Sequence, residues 1–279
     1  MKTLKRWTAI LGCSVLFATW LPAAAQTATQ TAPPPAPAPV SNAAAFSQDR
    51  LFLQSFEFDG AIVQGQWWEG DAVYTDAHDF NTFTVDFLVA LQMMDQLEVG
   101  GRVGFGSSDT SGGLENGTGA TDLDVWGKWR LGTSSPDTDI SVGAEVTVPT
   151  GDDSVGLGTD AFALTFFGAL REQMQNSVLT AYAGIQFNDN GQIFGTNLEG
   201  TTAGLMGVAI LLPLTDTITF VGEANLTTER FEGADSDFSI TGGINWHLTD
   251  RGIFRAALDL GLTDGANDGA LLAGYAYTF

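Results

Sequence analysis

Twelve stretches of this chain, most of them about ten residues long, read as β-strands, and most of them place apolar and polar residues at alternate positions, the period of a strand. They span 58–68, 81–92, 97–106, 122–131, 139–148, 161–170, 178–187, 201–212, 217–227, 237–248, 253–262 and 269–279. In 97–106, Leu97, Val99, Val103 and Phe105 oppose Glu98 and Arg102. In 122–131, Leu123, Val125, Trp129 and Leu131 oppose Asp122, Asp124, Lys128 and Arg130. In 139–148, Ile140, Val142, Val146 and Val148 oppose Ser141, Glu145 and Thr147, and in 217–227 Ile218, Phe220 and Leu226 oppose Thr219, Glu223 and Asn225. The 237–248 stretch sets Ile244 and Trp246 against Asn245 and His247, and 253–262 sets Phe254, Leu258 and Leu260 against Arg255 and Asp259. A soluble barrel would bury the apolar stripe. Here the other stripe carries charges of both signs, amides and hydroxyls, groups that are costly to bury without partners. The expectation is a transmembrane antiparallel up-and-down β-barrel of about 12 strands, oily outside and wet within. Stretches 161–170 and 201–212 are apolar on both faces, which leaves their register open.

The breaks between stretches sort by length. Short ones fall near Asp95, Ser135, Gln175, Thr215 and Asp250, and longer ones at 69–80, 107–121, 149–160, 188–200 and 228–236. Short periplasmic turns facing long outer loops are the outer-membrane pattern, and an even strand count lets both ends of the chain return to one side. The last stretch reads Gly-Ala-Leu-Leu-Ala-Gly-Tyr-Ala-Tyr-Thr-Phe from Gly269 to Phe279. An open edge there would invite aggregation, so pairing with the first strand is expected. A terminal Phe279 after alternating aromatics resembles the closing strand by which outer-membrane barrels are recognised for assembly.

Charge narrows the function classes. The chain holds 33 acids and 11 bases. Lys2, Lys5 and Arg6 lie in the first 25 residues, which carry no acid, so the remainder has 8 bases against 33 acids, a net −25. Nucleic-acid binding needs the opposite sign. Residues 1–25 combine that basic start, an apolar run from Trp7 to Leu21 and Ala23-Ala24-Ala25, the form of a secretory signal peptide. The single cysteine, Cys13, falls inside it, so disulfides and thiolate metal sites are not expected beyond it. Residues 26–57 are expected to form a disordered periplasmic linker, Pro/Ala-rich over 26–48. For 26–48 a spacer is favoured over a plug inside the barrel, because the stretch has no charges to pair with a polar lumen. Residues 58–279 are assigned to the barrel.

The inward stripes nominate Asp86, Glu98, Arg102, Asp122, Asp124, Lys128, Arg130, Glu145, Glu223, His247, Arg255 and Asp259 as lumen or selectivity residues. Opposed charges in a narrow lumen can set up a selective constriction, or can pair and hold the lumen shut. The outer breaks carry Glu69, Asp71, Asp76, Asp79, Asp109, Glu115, Asp152, Asp153, Asp160, Asp189, Glu199, Glu229, Glu232 and Asp235, with Arg230 against them. Such a mouth concentrates cations and is a candidate for loosely bound divalent cations. Trp67, Trp68, Trp129, Trp246, Tyr275 and Tyr277 suit interfacial girdles, whereas Trp126 shares the polar face of its strand and reads as a lumen residue. Catalysis has little to draw on. His78 and His247 are the histidines, His247 lies toward a periplasmic turn, and no serine or acid triad can be assembled around His78. No cofactor motif is present.

One segment carries a family resemblance. Asp122-Leu-Asp-Val-Trp-Gly-Lys-Trp-Arg-Leu131 and a short turn precede a strand ending in Val148-Pro149-Thr150-Gly151-Asp152-Asp153, then Gly156-Leu157-Gly158-Thr159-Asp160. This resembles the outer-membrane transporter family described as MetA-pathway of phenol degradation, well over 120–165 and loosely over 80–279. Asp160 stands where the family often has glycine. The resemblance implies an outer-loop motif at Pro149, Thr150, Gly151, Asp152 and Gly158, and passage of small, often apolar or aromatic compounds across the outer membrane of a Gram-negative bacterium, without catalytic residues. The expected function is therefore a channel for small solutes, working by passive diffusion, with outer-membrane lipids and the barrel-assembly machinery as partners. The alternative is a closed barrel that acts through its acidic outer loops.

Overall fold

The computed structural model describes residues 49–77, 80–110, 116–133 and 135–279. The expected signal peptide and the 26–48 tether lie outside them, as do His78, Asp79 and Glu115. Among the described residues the fold is all-β apart from two short 3₁₀ turns, Leu53–Phe58 and Asp153–Val155. The strands are β1 (Gln66–Ala77), β2 (Phe80–Met94), β3 (Leu97–Thr110), β4 (Gly117–Ala120), β5 (Leu123–Leu131), β6 (Thr138–Val148), β7 (Ala163–Gln173) and β8 (Val178–Asn188). They continue as β9 (Gly191–Ile193), β10 (Thr196–Leu198), β11 (Thr202–Pro213), β12 (Ile218–Thr227), β13 (Asp237–His247), β14 (Gly252–Gly261) and β15 (Gly269–Thr278). β9 and β10 form a hairpin in an outer loop, and β4 adds a short ladder to the outer half of β3. The other strands close one antiparallel barrel of 12, each pairing with its neighbours in the ring. β1 and β15 seal the seam from Trp67↔Thr278 to Asp76↔Gly269, so no edge is left open.

The faces divide as the alternation predicts. Phe87, Phe105, Val142, Met206 and Leu271 point out and stay exposed, with Phe105 60% accessible, while Glu98, Lys128, Glu145, Glu223 and Arg255 point in and are buried. A barrel whose outer face is its oily face is built for a bilayer. Trp68, Trp129, Trp246 and Tyr275 lie on that outer face. Trp67 and Trp126 are buried within the barrel, so Trp67 leaves the expected girdle and Trp126 takes the lumen position.

Eleven of the twelve expected strands coincide with observed ones to within a few residues; the first does not. Residues 58–65 precede β1, which starts at Gln66, and the expected long loop over 69–80 is mostly strand. Glu69 and Asp71, read from sequence as outer-loop acids, are buried inward-facing positions of β1. With β1 placed from Gln66 rather than before it, both fall on its lumen face. The expected linker is also corrected at its end. Residues 49–57, together with 58–63, are folded inside the barrel: Asp49, Phe56, Glu57 and Asp59 are essentially inaccessible. The physical reason is a set of wall partners that this segment satisfies.

Candidate functional site

The segment 49–63 is a plug, and the lumen stripe is its receptor. At the periplasmic end, Asp49 accepts hydrogen bonds from Thr219 at 2.7 Å and Asn245 at 3.1 Å, and its carboxylate lies 2.9 Å from His247 Nε2. Arg255, fully buried, donates from Nη1 to both Glu69 carboxylate oxygens, at 2.5 and 2.7 Å, and from Nη2 to the carbonyls of Arg50 and Leu51. Its guanidinium also sits 5.0 Å from the Phe52 ring and 5.8 Å from the Trp67 ring, within cation–π range. Glu223 accepts the Phe52 N–H at 2.7 Å and the Ser55 hydroxyl. Further along, Asp59 pairs with Arg171 at 2.6 Å, and its carbonyl takes a bond from Lys128 at 3.0 Å. Glu98 gathers three donors: Val63 N–H at 2.7 Å, Trp126 Nε1 at 3.0 Å and Lys128 Nζ at 3.2 Å. Every bond named here between 49–63 and the wall runs through at least one side chain.

Apolar contacts fill the spaces between. Phe56 packs against Trp67 and Trp126 with ring centroids 5.5 and 6.0 Å apart. Phe58 stacks on Tyr182 at 4.5 Å and meets Phe167 edge-on at 5.0 Å. Leu51 and Phe52 cluster with Val178, Ala209, Leu211 and Val221. The inward residues of β7 and β11 are thus largely apolar because the plug's rings dock there. This explains the two stretches whose faces could not be told apart.

Above the plug lies a cavity of about 560 Å³ on the outer side, and below it a second of about 440 Å³ bordered by Arg50, Gln64, Arg251 and Phe279. The outer cavity is walled by Asp86, Asp122, Asp124, Glu145, Asp237 and Asp259, with Arg102 and Arg230 against them. Arg102 makes two bonds to Asp124 Oδ2, at 2.8 and 3.1 Å, lies 3.5 Å from plug residue Glu57 and donates to the Leu53 carbonyl. Arg130 keeps the inward register but sits at the periplasmic rim, half exposed, bonded to the Asp95 carbonyl and 3.6 Å from Asp139. Most of the sequence-nominated lumen residues are therefore brought together. What the nomination missed is their common partner.

The loop motif also has a holder. Asp122 accepts the N–H of Gly151 at 2.9 Å and of Thr159 at 3.2 Å, folding the Pro149–Thr159 loop over the mouth. Gly151 and Gly158 meet face to face, and a Cβ on either would lie 2.7 Å from the other's Cα. Phe194 of the β9–β10 turn donates its N–H to the Asp153 carbonyl and rests edge-on against Phe80 at 5.2 Å. In Asp122→Ala two half-buried N–H donors lose their acceptor, at about 0.5–1.5 kcal/mol each. Hydrogen exchange at Gly151 and Thr159 is expected to speed up sharply while β5 and β6 stay protected; unchanged exchange would contradict this role. Elsewhere on the mouth, a hydrogen bond to the Glu199 carboxyl holds Glu232 above the ordinary carboxyl range. Among the described residues no group of three or more histidine, cysteine, aspartate or glutamate side chains is placed to hold a metal.

No protein-family model matches the sequence, and no curated protein is similar to it in sequence. Solved structures do match the fold. The COG4313 outer membrane channel from Pseudomonas putida F1 superposes with a TM-score of 0.65 at 14% identity, covering 80% of this chain and 98% of that one. The NanC porin gives 0.56 at 9% identity over 76% of this chain and 100% of the other, and the KdgM porin 0.53 at 8% over 76% and 99%. The chain shares with these proteins the fold of a closed antiparallel β-barrel.

Proposed function

We propose that this barrel is a channel for small solutes, closed at rest by its own residues 49–63. The observation that carries the reading is a pair of cavities, one on each side of a segment fastened to the wall through side chains. A plug so held can leave without breaking the barrel's own hydrogen-bond ladder. Passage is by diffusion, without chemistry or cofactor, and the acidic vestibule favours cations over anions. The Phe58, Tyr182 and Phe167 rings beside that vestibule suit solutes with an apolar or aromatic body, as the motif resemblance implied. The same reading includes insertion by the barrel-assembly machinery through the terminal strand at Phe279, and loosely held divalent cations at the outer loops.

The filled lumen also favours a second reading, a permanently closed scaffold whose acidic loops make surface contacts. Planar-bilayer recording and liposome swelling separate the two. The channel reading expects cation-preferring passage of small solutes through the full-length barrel. Silence in both assays, persisting after the plug is removed, would leave the scaffold.

A further inference from the structure

Much of the wall's grip on the plug is on its backbone. Arg255 donates to the carbonyls of Arg50, at 3.0 Å, and Leu51. Arg102 donates to the Leu53 carbonyl, and Lys128 to that of Asp59 at 3.0 Å. Glu223 and Glu98 accept the N–H groups of Phe52 and Val63, each at 2.7 Å. Such groups belong to any oligopeptide. In a closed barrel each ring strand spends its own N–H and C=O groups on its two neighbours, so a chain in the bore is met by side chains. Between these contacts the wall offers places for rings. Phe52 lies against the Arg255 guanidinium, where Gly243 leaves the room: a Cβ there would come within 2.6 Å of the ring's Cζ. Phe56 has Trp67 and Trp126, and Phe58 has Tyr182 and Phe167. Main-chain contacts for affinity, with pockets for chosen side chains, are the two parts of peptide recognition. A permanent stopper has no need of the first part, because apolar side chains of the same volume would hold it at least as well as buried charges do. Charged side chains suit a bore that is wet when empty and grips a chain when one enters.

We infer that the bore, with the plug out, is a binding site for oligopeptides bearing aromatic side chains, and that the plug is a resident occupant lying where such a peptide would lie. The entering peptide's carbonyls take Arg255, Arg102 and Lys128, its N–H groups take Glu223 and Glu98, and its rings take the places of Phe52, Phe56 and Phe58. Arg171, 2.6 Å from the Asp59 carboxylate, is placed for an acidic side chain or a C-terminal carboxylate. An aromatic compound without peptide groups would fill the ring pockets but leave the wall's charged donors and acceptors without partners, which is costly in a filled bore. The inference deepens the channel reading and rests on it only in calling the peptide a solute; binding itself requires no passage.

The test uses the full-length chain carrying Phe56→Ala and Phe58→Ala, whose plug leaves ring places vacant, with Phe56→Ala alone in its stead if the double variant does not fold. The probe is a dye-labelled, capped peptide with phenylalanine at the spacing of Phe52, Phe56 and Phe58 and serine at its other positions, so that it copies the plug's rings and backbone and little else. It is compared with the same peptide N-methylated at the first phenylalanine, which cannot donate to Glu223. Fluorescence anisotropy with the solubilised barrel is expected to show saturable binding of the first peptide. The second should bind more weakly by roughly tenfold to hundredfold, the range for a hydrogen bond to a charged group. No saturable binding, or equal binding of the two peptides, would overturn the site. Peptide that binds but never enters liposomes holding the barrel would keep the site and remove the channel reading; passage of other small solutes without peptide binding would do the reverse.

Discussion

A barrel lacking residues 49–63 is expected to conduct far better than the intact chain, by on the order of tenfold or more. A ring of eight strands is filled by its own side chains, whereas rings of sixteen or more enclose water, and twelve lies between. Here the lumen is filled because Phe52, Phe56, Phe58 and Val63 occupy it, while the wall contributes charged groups that prefer water. Without the segment, Glu98, Lys128, Arg171, Glu223 and Arg255 face an open bore. A point variant tests the same idea with the chain intact. Phe56→Ala together with Phe58→Ala removes two of the plug's buried rings, at about 3–5 kcal/mol each if fully buried. Its plug is expected to spend part of its time out of the lumen, seen as long openings in single-channel records and as new proteolytic cleavage near Ser55. A deletion variant that folds, as judged by its resistance to detergent unfolding, yet remains as silent as the parent would disprove the plug's role.

The second large effect is expected from Arg255. Its guanidinium has no exposure and meets Glu69, Asn245, two plug carbonyls and two aromatic faces. Arg255→Met keeps the volume but strands the equally buried Glu69 carboxylate. Removing one partner of such a pair costs about 3–5 kcal/mol, because the other charge stays behind in low dielectric. The expected result is a large fall in the urea midpoint of the reconstituted barrel, together with loosening of the plug. Arg255→Lys retains the charge but loses the planar fork and cannot reach all these acceptors at once. It should fall between the two. Adding Glu69→Gln to Arg255→Met should recover part of the loss, and a stability change below about 1 kcal/mol in Arg255→Met, the size of an exposed pair, would contradict the buried-pair account.

The barrel was legible in the sequence because most strands from β2 to β15 in the ring, β7 and β11 excepted, advertise their two faces. Val99 against Glu98, or Phe254 against Arg255, can be assigned from alternation alone. The plug was not legible by that route. Phe58 to Val63 has strand-like composition, and nothing in a two-residue period separates a strand from a segment folded inside a ring of strands. Signals were present, however. Asp49, Arg50, Glu57 and Asp59 follow a tether devoid of charge, and these are the groups that meet Asn245, Arg102 and Arg171. The inward apolar stripe Ala203, Leu205, Ala209 and Leu211 was the other signal, because a wet lumen gives no reason for it. The nominated residues were read as lining the bore, with partners sought across it rather than on a segment threading it. Asp122 was found as a charge. Its grip on Gly151 and Thr159 depends on loop geometry that spacing does not encode.

The plug is joined to the wall through Gly65, whose φ of +77° turns the chain into β1 and whose N–H and carbonyl are both tied to Gln92. A stopper on so short a leash cannot wander off. When it leaves its seat, its local concentration stays in the millimolar range typical of short tethers. Reseating is therefore a first-order event, indifferent to how dilute the barrels are, and the pore should flicker rather than latch. A free peptide of the same sequence, added at micromolar levels, would compete poorly with the resident copy.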